Sequence, residues 1–310
     1  MIFDSLNREQ IGLLDEISDA SVFKGDGAYN LRLDGHGVMR HNTDRINIVP
    51  RNDGQGIEVY VKPGTVGETV HIPVIISESG LKETVFNDFY IGEGCDVTVI
   101  AGCGIHNAGD LESMHSGVHS FSVGKNARVK YIEKHIGTGG RGKRSMNPTT
   151  SVMIEEGGFM EMNTVQIKGV DNASRMTRAV VKKGGTLVIT EKIMTDGEQT
   201  AGTEFTVDLD GEDSCARVVS RSVARGRSKQ LFVSDVRGNS RCSARTECDA
   251  IVMDDACVSA IPKISANVPE ASLVHEAAIG KIAGEQLVKL MTLGLTEKEA
   301  EEEIINGFLK

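Results

Sequence analysis

The stretch VKKGGTLVI (residues 181–189) decides the fold, because it joins a corner of Lys and Gly to an alternating apolar strand. Related stretches recur, each with a Gly, Asn or Asp corner followed by strand residues: IGEGCDVTVI (91–100), SVGKNARVKYI (122–132), IEEGGFMEM (154–162), LDGEDSCARVV (209–219) and VMDDACVSAI (252–261). Their spacing corresponds to one or two solenoid turns of about 15 residues, which predicts a repetitive all-β body. A parallel β-helix fits this pattern best, and a β-sandwich is the alternative.

The composition argues against two classes of partner. The 310 residues carry a formal net charge of −10, which works against non-specific binding to nucleic acid or to an anionic membrane surface. The N-terminus, MIFDSLNREQ, has no basic segment followed by an apolar stretch, and no run approaches the roughly 18 apolar residues of a membrane span. We therefore expect a soluble, cytoplasmic protein.

The chain divides into three segments by pattern. Residues 1–27 are expected to hold a short helix from about Asn7 to Ile17, with Asn7 and Gln10 forming a capping box. Residues 28–274, with the repeated strands, are expected to form the β-helix core.

The third segment, residues 275–310, is expected to form a helical subdomain. Apolar residues recur at helical spacing in AIGKIAGEQLVKLMTLGL (278–295), and Gly294 is a stop signal. A second helix should begin at Thr296, with Glu299 completing a capping box. The apolar stripes of these helices could cover the open end of the β-helix or offer a groove to a partner.

The loop GTGGRGKR (137–144) nearly matches the phosphate-binding pattern GxxxxGK[ST]. Arg144 stands where the magnesium-binding hydroxyl belongs, and no strand-loop-helix pattern surrounds the loop. A flexible basic turn is therefore expected. If the chain works with ATP, another subunit should supply the ATPase.

Metal-ligand side chains occur in two places. The first, GCGIHNAGDLESMHSGVHS (102–120), contains His106, His115, His119, Cys103 and Glu112, in a spacing that matches no standard metal motif. Surface or strand-face histidines are the favoured interpretation. Whether this group or the nearby Cys95 takes part in the function stays open.

The second and stronger cluster is RCSARTECDAIVMDDAC (241–257) followed by LVHEAA (273–278). Its candidate ligands are Cys242, Cys248, Cys257, His275 and Glu276. Thiolates are the preferred ligands of iron–sulfur iron, and imidazole or carboxylate can complete a labile site. Cys242 and Cys257 are separated by about one predicted turn, so stacking would bring them together.

Two other uses of these residues remain open. The thiols can be buried small hydrophobes without a role in ligation. A hydrolase triad of Cys248, Asp249 and His275 is the other use, although neither a nucleophile elbow nor an oxyanion loop supports it.

The runs ECDAIVMDDAC (247–257) and VHEAAIGKIAGEQLVKLMTLGLTEKEAEEEIINGFL (274–309) resemble the C-terminal signature of the SufB/SufD proteins of the SUF iron–sulfur assembly system. That signature has a QCD-like strand, an HEA-like turn and helices that end close to NGF. In SufB-like members the cysteine and the glutamate serve cluster assembly, and they match Cys248 and Glu276. SufD-like members carry a functional histidine, which matches His275. Because the chain has the Cys and Glu of the SufB pattern as well as this His, it looks like a compact SufB-like member.

The resemblance implies a right-handed parallel β-helix with a C-terminal helical subdomain that docks a SufC-like ABC ATPase. It implies a scaffold rather than an enzyme, acting with a sulfur donor and apo-acceptor proteins on a transient cluster, [4Fe-4S] or [2Fe-2S]. Because the chain is shorter than typical SufB, we expect a homodimer with two copies of Cys248 and His275 near the twofold axis. The alternatives are a heterodimer with a paralogue and a structural SufD-like partner without its own cluster ligands.

Overall fold

The computed structural model describes residues 6–18 and 27–310, which form a long stack of strands with helices at both ends of the chain. The helices are α1 (Arg8–Ile17), α2 (Gly284–Met291) and α3 (Glu297–Phe308). The strands are β1 (Ala28–Leu33), β2 (His36–His41), β3 (Ile46–Pro50), β4 (Gly56–Val61), β5 (Val66–Ile76), β6 (Lys82–Ile91), β7 (Asp96–Asn107), β8 (Ser113–Val123), β9 (Arg128–Gly139), β10 (Arg144–Met146), β11 (Thr149–Ile154), β12 (Phe159–Lys168), β13 (Asn172–Val181), β14 (Thr186–Thr195), β15 (Thr200–Leu209), β16 (Ser214–Ala224), β17 (Lys229–Gly238), β18 (Cys242–Val252), β19 (Cys257–Ala266) and β20 (Ala271–Gly280).

The strands form two sheets, and the chain passes from one to the other after nearly every strand. The first sheet has the order β2-β1-β5-β7-β9-β12-β14-β16-β18-β20, and the second has β19-β17-β15-β13-β10-β8-β6-β4-β3, with β11 between β8 and β13. Pairing is parallel except for β1 with β2 and β3 with β4 at the N-terminal end. The result is a parallel β-solenoid of about 8 turns, which confirms the predicted fold class.

One coil of the solenoid is longer than the predicted turn. Ser214, Cys242 and Ala271 are register neighbours on β16, β18 and β20, and they are 28 and 29 residues apart. The predicted turn of about 15 residues is wrong, because that length carries the chain only from one sheet to the other. A full coil contains two strands and two corners.

The predicted corners are confirmed by their backbone conformation. Gly184, Asp213 and Asp254 have φ values of 62°, 58° and 52°. Gly, Asn and Asp adopt this left-handed conformation at the lowest cost, which explains why these residue types mark the repeats. Between corners, alternate residues point inward: Leu187 and Ile189 of β14 are fully buried, and Val188 between them is not.

Helix α1 packs against the outer face of the first sheet. The predicted capping box is present: the backbone N–H of Gln10 donates to Asn7 Oδ1 at 2.8 Å, and that of Asn7 donates to Gln10 Oε1 at 2.9 Å. A Cβ added at Gly102 of β7 would lie 2.8 Å from the Ile17 Cβ. Glycine at this point of the sheet therefore allows the helix to come close.

The C-terminal helices begin later than the pattern suggested. Strand β20 continues to Gly280, so His275 and Glu276 lie on a strand and not on a turn, and Ile279 belongs to this strand. The second capping box is confirmed, with Thr296 as N-cap of α3 and Glu299 as its partner. The described helices include none that is both long and apolar enough to cross a membrane.

Candidate functional site

Strands β18 and β20 bring Cys248 and His275 to one face of the first sheet. Because side chains alternate along a strand, Thr246 and Cys248 of β18 both point into the solenoid. His275 of β20 is the register neighbour of Thr246, and Ala277 is the register neighbour of Cys248. Cys248 and His275 therefore lie on adjacent strands, offset by two residues and facing the same interior.

The imidazole of His275 has one engaged and one free nitrogen. Its Nδ1 lies 2.6 Å from Thr246 Oγ1, and its Nε2 is buried without a hydrogen-bond partner in the part of the chain that the structure describes. Burial lowers the pKa of His275, so the ring is neutral at pH 7. A neutral imidazole with a free Nε2 is the form that binds a metal.

Cys248 is a buried thiol with 2% of its surface exposed. Burial, with further contributions from the charges of Glu191 and Asp249, raises its pKa to about 11. The side chain is therefore a neutral thiol at pH 7 when nothing is bound. A metal ion reverses this preference, because a coordinating thiol is deprotonated by the metal.

Glu276 lies on the opposite face of the sheet from Cys248. It points outward from β20, where Arg245 Nη2 donates to its Oε2 at 2.6 Å. The register and the ion pair both keep this carboxylate away from the interior. Of the two adjacent candidate ligands His275 and Glu276, only His275 shares a face of the sheet with Cys248.

The three C-terminal thiols do not converge within one chain. Cys242 and Cys248 both face inward on β18, but six residues of strand separate their Cα atoms by about 20 Å. Cys257 is exposed on β19 of the other sheet, beside Lys229. The predicted stacking of Cys242 and Cys257 is therefore wrong, and its physical reason is the longer coil.

The part of the chain that the structure describes contains neither a preformed metal site nor the predicted hydrolase triad. Residues 6–18 and 27–310 contain no group of three or more His, Cys, Asp or Glu side chains that could hold a metal ion. Asp249 follows Cys248 on β18 and points to the opposite face, so Cys248, Asp249 and His275 do not form a triad. Within the described residues, Cys248 and His275 therefore have no third His, Cys, Asp or Glu side chain in position to complete a metal site with them.

Cys248 lies one strand below an open end of the solenoid. Strands β19 and β20 are the last strands of their sheets, so no further coil covers them. Ile264 and Ile279 occupy inward positions in these strands, yet they are 44% and 42% exposed. The end of the solenoid therefore presents apolar side chains and unpaired strand edges next to the candidate site.

Two histidines of the first predicted cluster, His115 and His119, lie at a different place, inside the solenoid. They are four residues apart on strand β8, so their side chains share one face of that strand. Cys103 is also buried in this region, and burial raises its pKa well above the ordinary value. His106 is partly buried beside Thr138, with its Nδ1 at 3.0 Å from the hydroxyl, and Glu112 pairs with Lys82.

The interior contains a charged network that sequence reasoning missed. Arg175 forms an ion pair with Glu133, and its Nε lies 3.6 Å from Glu191 Oε1. His135 Nε2 lies 3.4 Å from Glu133 Oε1, and Ser220 Oγ donates to Glu191 Oε2 at 2.9 Å. Charged residues at inward positions of the strands could have signalled this network.

The near-match to a phosphate loop is confirmed as a turn between strands. Residues 137–139 end β9, and Arg144 begins β10, with no helix after the loop. Arg144 Nε forms an ion pair with Asp171 Oδ2 at 2.7 Å. The loop therefore lacks the helix N-terminus that a phosphate site of this class uses.

Comparisons with known proteins match the region that carries the site. The family model described as SUF system FeS cluster assembly, SufBD core domain, matches residues 79–308. An iron-sulfur cluster assembly SufBD family protein of Archaeoglobus fulgidus is 28% identical over 278 residues, which is 88% of this chain and 73% of that protein. A Methanocaldococcus jannaschii protein of the same description is 28% identical over 242 residues, 77% of this chain and 76% of that protein. A Staphylococcus epidermidis protein, again so described, is 29% identical over 227 residues, but those residues make up 47% of its length.

Proposed function

This chain belongs to the SufBD family of the SUF iron–sulfur cluster assembly system, and from that premise we propose that it is a scaffold on which a cluster is built and released. The observation that carries the proposal is the placement of Cys248 and His275 on one interior face, beside the open end of the solenoid. A thiolate holds iron strongly and an imidazole holds it more weakly. This mixture suits a protein that must give up its product. The cluster is cargo here, of [2Fe-2S] or [4Fe-4S] type, and no catalytic role is proposed for the chain itself.

A second copy of this chain is the proposed partner at the open end. Ile264 and Ile279 expose apolar surface there, and the free edges of β19 and β20 offer unpaired backbone groups. Pairing of two such ends would bring two Cys248 and two His275 side chains near a twofold axis and complete a four-ligand set. A cluster bound between two chains is the only arrangement in which we propose a ligand role for Cys242, Cys257 or Glu276. Light scattering after size exclusion tests the proposed homodimer, and a clean monomer at micromolar concentration would contradict it.

The C-terminal helices are the proposed docking site of a SufC-like ABC ATPase. Val288 and Met291 of α2 and the following Leu293 are 60%, 43% and 77% exposed. Three apolar side chains on one short segment form a patch that a partner can cover. ATP hydrolysis is assigned to that partner, in keeping with the turn at residues 137–144. A sulfur donor, apo-acceptor proteins and a cytoplasmic location belong to the same proposal.

A structural, SufD-like role is the second candidate. It is favoured by the deep burial of Cys248 and by the lack of a metal-binding group within the described residues. In that role the thiols would be buried and inert. Substituting one of them would then abolish cluster binding only if the substitution also unfolded the protein. The two candidates differ in whether the purified chain can carry and pass on a cluster.

Transfer of a cluster to an acceptor tests the proposal. The chain is reconstituted anaerobically with ferrous iron and sulfide, separated from free iron, and mixed with apo-ferredoxin in the presence of an iron chelator. A scaffold should convert the ferredoxin to its holo form while losing its own visible absorption. If the chelator takes all of the iron and the ferredoxin gains none, the scaffold role is excluded.

A further inference from the structure

The hydroxyl of Thr246 holds one side of the His275 ring. Thr246 Oγ1 lies 2.6 Å from His275 Nδ1, and the two residues are register neighbours on β18 and β20. Thr246 is 2% exposed, so water does not compete readily for this contact. The other ring nitrogen, Nε2, is buried and has no hydrogen-bond partner within residues 6–18 and 27–310.

We propose that Thr246 is a positioning residue, which orients His275 so that Nε2 is the atom that binds the iron of the nascent cluster. The inference rests on the proposed function, since it assumes that His275 is a ligand. A histidine that binds metal through one nitrogen keeps the other nitrogen in a hydrogen bond, which fixes the ring orientation and the tautomer. Thr246 is the residue placed to make that bond.

The hydroxyl of Thr246 can form a hydrogen bond with His275 both when iron is bound to Nε2 and when it is not. With iron on Nε2, the neutral ring carries its proton on Nδ1, and Nδ1–H donates to Thr246 Oγ1. Without iron, the proton can sit on Nε2, and the hydroxyl can then donate to the bare Nδ1, because a hydroxyl is both donor and acceptor. The contact can therefore persist while the cluster arrives and leaves, and the ring need not be reoriented each time.

Thr164 shows what an inward threonine without such a role looks like. It points into the solenoid from β12 and is 2% exposed, as Thr246 is. Its Oγ1 has no hydrogen-bond partner in the described parts of the chain. Thr164→Val is therefore a matched control for Thr246→Val, since both changes replace a buried hydroxyl by a methyl group in the same sheet.

The test compares wild type with Thr246→Val, Thr246→Ser and Thr164→Val, each as the full chain labelled with ¹⁵N-histidine. Two quantities are measured: the rate at which a chelator removes iron from the reconstituted protein, and the ¹⁵N signals of His275. The signals are recorded as chemical shifts in the apoprotein and as coupling to the reduced, paramagnetic cluster. Loss of an outer partner of a ligand typically weakens metal binding about 10- to 100-fold, so Thr246→Val should speed iron release by a similar factor. It should also alter both sets of ¹⁵N signals, while Thr246→Ser and Thr164→Val stay near wild type.

The outcomes separate this inference from the proposed function. Wild-type iron release and unchanged ¹⁵N signals in Thr246→Val would overturn the positioning role and leave the scaffold role untouched. Normal reconstitution of Cys248→Ser would overturn the proposed ligand site, whatever Thr246→Val shows. If far-UV circular dichroism shows that Thr246→Val does not fold, Thr246→Ala takes its place, because it removes the hydroxyl and only subtracts atoms.

Discussion

Replacing Arg175 by Met should strongly destabilise the solenoid. The Arg175 guanidinium lies inside the solenoid with 6% of its side chain exposed, between the carboxylates of Glu133 and Glu191. Removing it leaves buried negative charge without compensation, which costs about 3–5 kcal/mol for a broken buried pair. A domain is usually stable by about 5–15 kcal/mol, so the loss is a large share of the total.

The assay is urea unfolding followed by far-UV circular dichroism at pH 7. Arg178→Met is the matched control, because Arg178 lies three residues further along β13 with an exposed side chain, and its replacement should change stability very little. Adding Glu133→Gln to Arg175→Met should recover part of the loss, because the uncompensated charge is then removed. If Arg175→Met and Arg178→Met unfold at the same urea concentration, the interior ion pairs do not stabilise the fold as argued.

The pH dependence supplies an independent check. Burial alone would raise the pKa of the Glu133 carboxyl, but Arg175 and the nearby histidines lower it well below its ordinary value. In wild type the stabilisation is therefore complete above the ordinary carboxyl pKa and is lost as the pH falls through the depressed one. In Arg175→Met burial dominates and raises that pKa, so protonation favours the folded state. The deficit relative to wild type should be smaller at pH 5 than at pH 7.

Three further changes test the site and its surfaces. Ala277→Leu fills the space beside Cys248 on the open side, so iron and sulfide content after reconstitution should fall while the circular dichroism spectrum stays unchanged. Ile264→Lys places a charge on the open end and should turn a dimer into a monomer in light scattering, whereas Ile167→Lys, at a similarly exposed position of β12, should not. Val288→Asp on α2 should reduce co-purification with the ABC ATPase without changing the cluster content, and unchanged co-purification would exclude this patch as the docking site.

Local signals in the sequence are sufficient for the class of fold and for the starts of α1 and α3, each of which has a capping box. The corner at Gly184 needs a positive φ, and the cap at Asn7 needs a side-chain acceptor, so each is set by a few neighbouring residues. The length of a coil is different, because it depends on how two sheets share the repeat. That is why a turn of about 15 residues is predicted from the sequence, although that length carries the chain only from one sheet to the other and a full coil takes 28 or 29 residues.

The candidate site likewise combines features that neighbouring residues determine with features that only the assembled sheet determines. Alternation along a strand fixes that Cys248 and Thr246 face one way, and register fixes that His275 lies beside Thr246. The register is a property of the assembled sheet, and the sequence does not display it. For the same reason the pairing of Arg175 with Glu133, which are 42 residues apart, could not be inferred from either residue alone.

Anaerobic reconstitution of Cys248→Ser and Cys242→Ser with iron and sulfide tests the central claim most directly. Both residues are buried cysteines on the same face of β18, so the two variants lose the same atom in similar surroundings. The claim predicts that Cys248→Ser loses most of its iron, sulfide and visible absorption, while Cys242→Ser keeps a cluster content close to wild type. Full cluster content in Cys248→Ser, or equal losses in both variants, would contradict the assignment of Cys248 as the ligand.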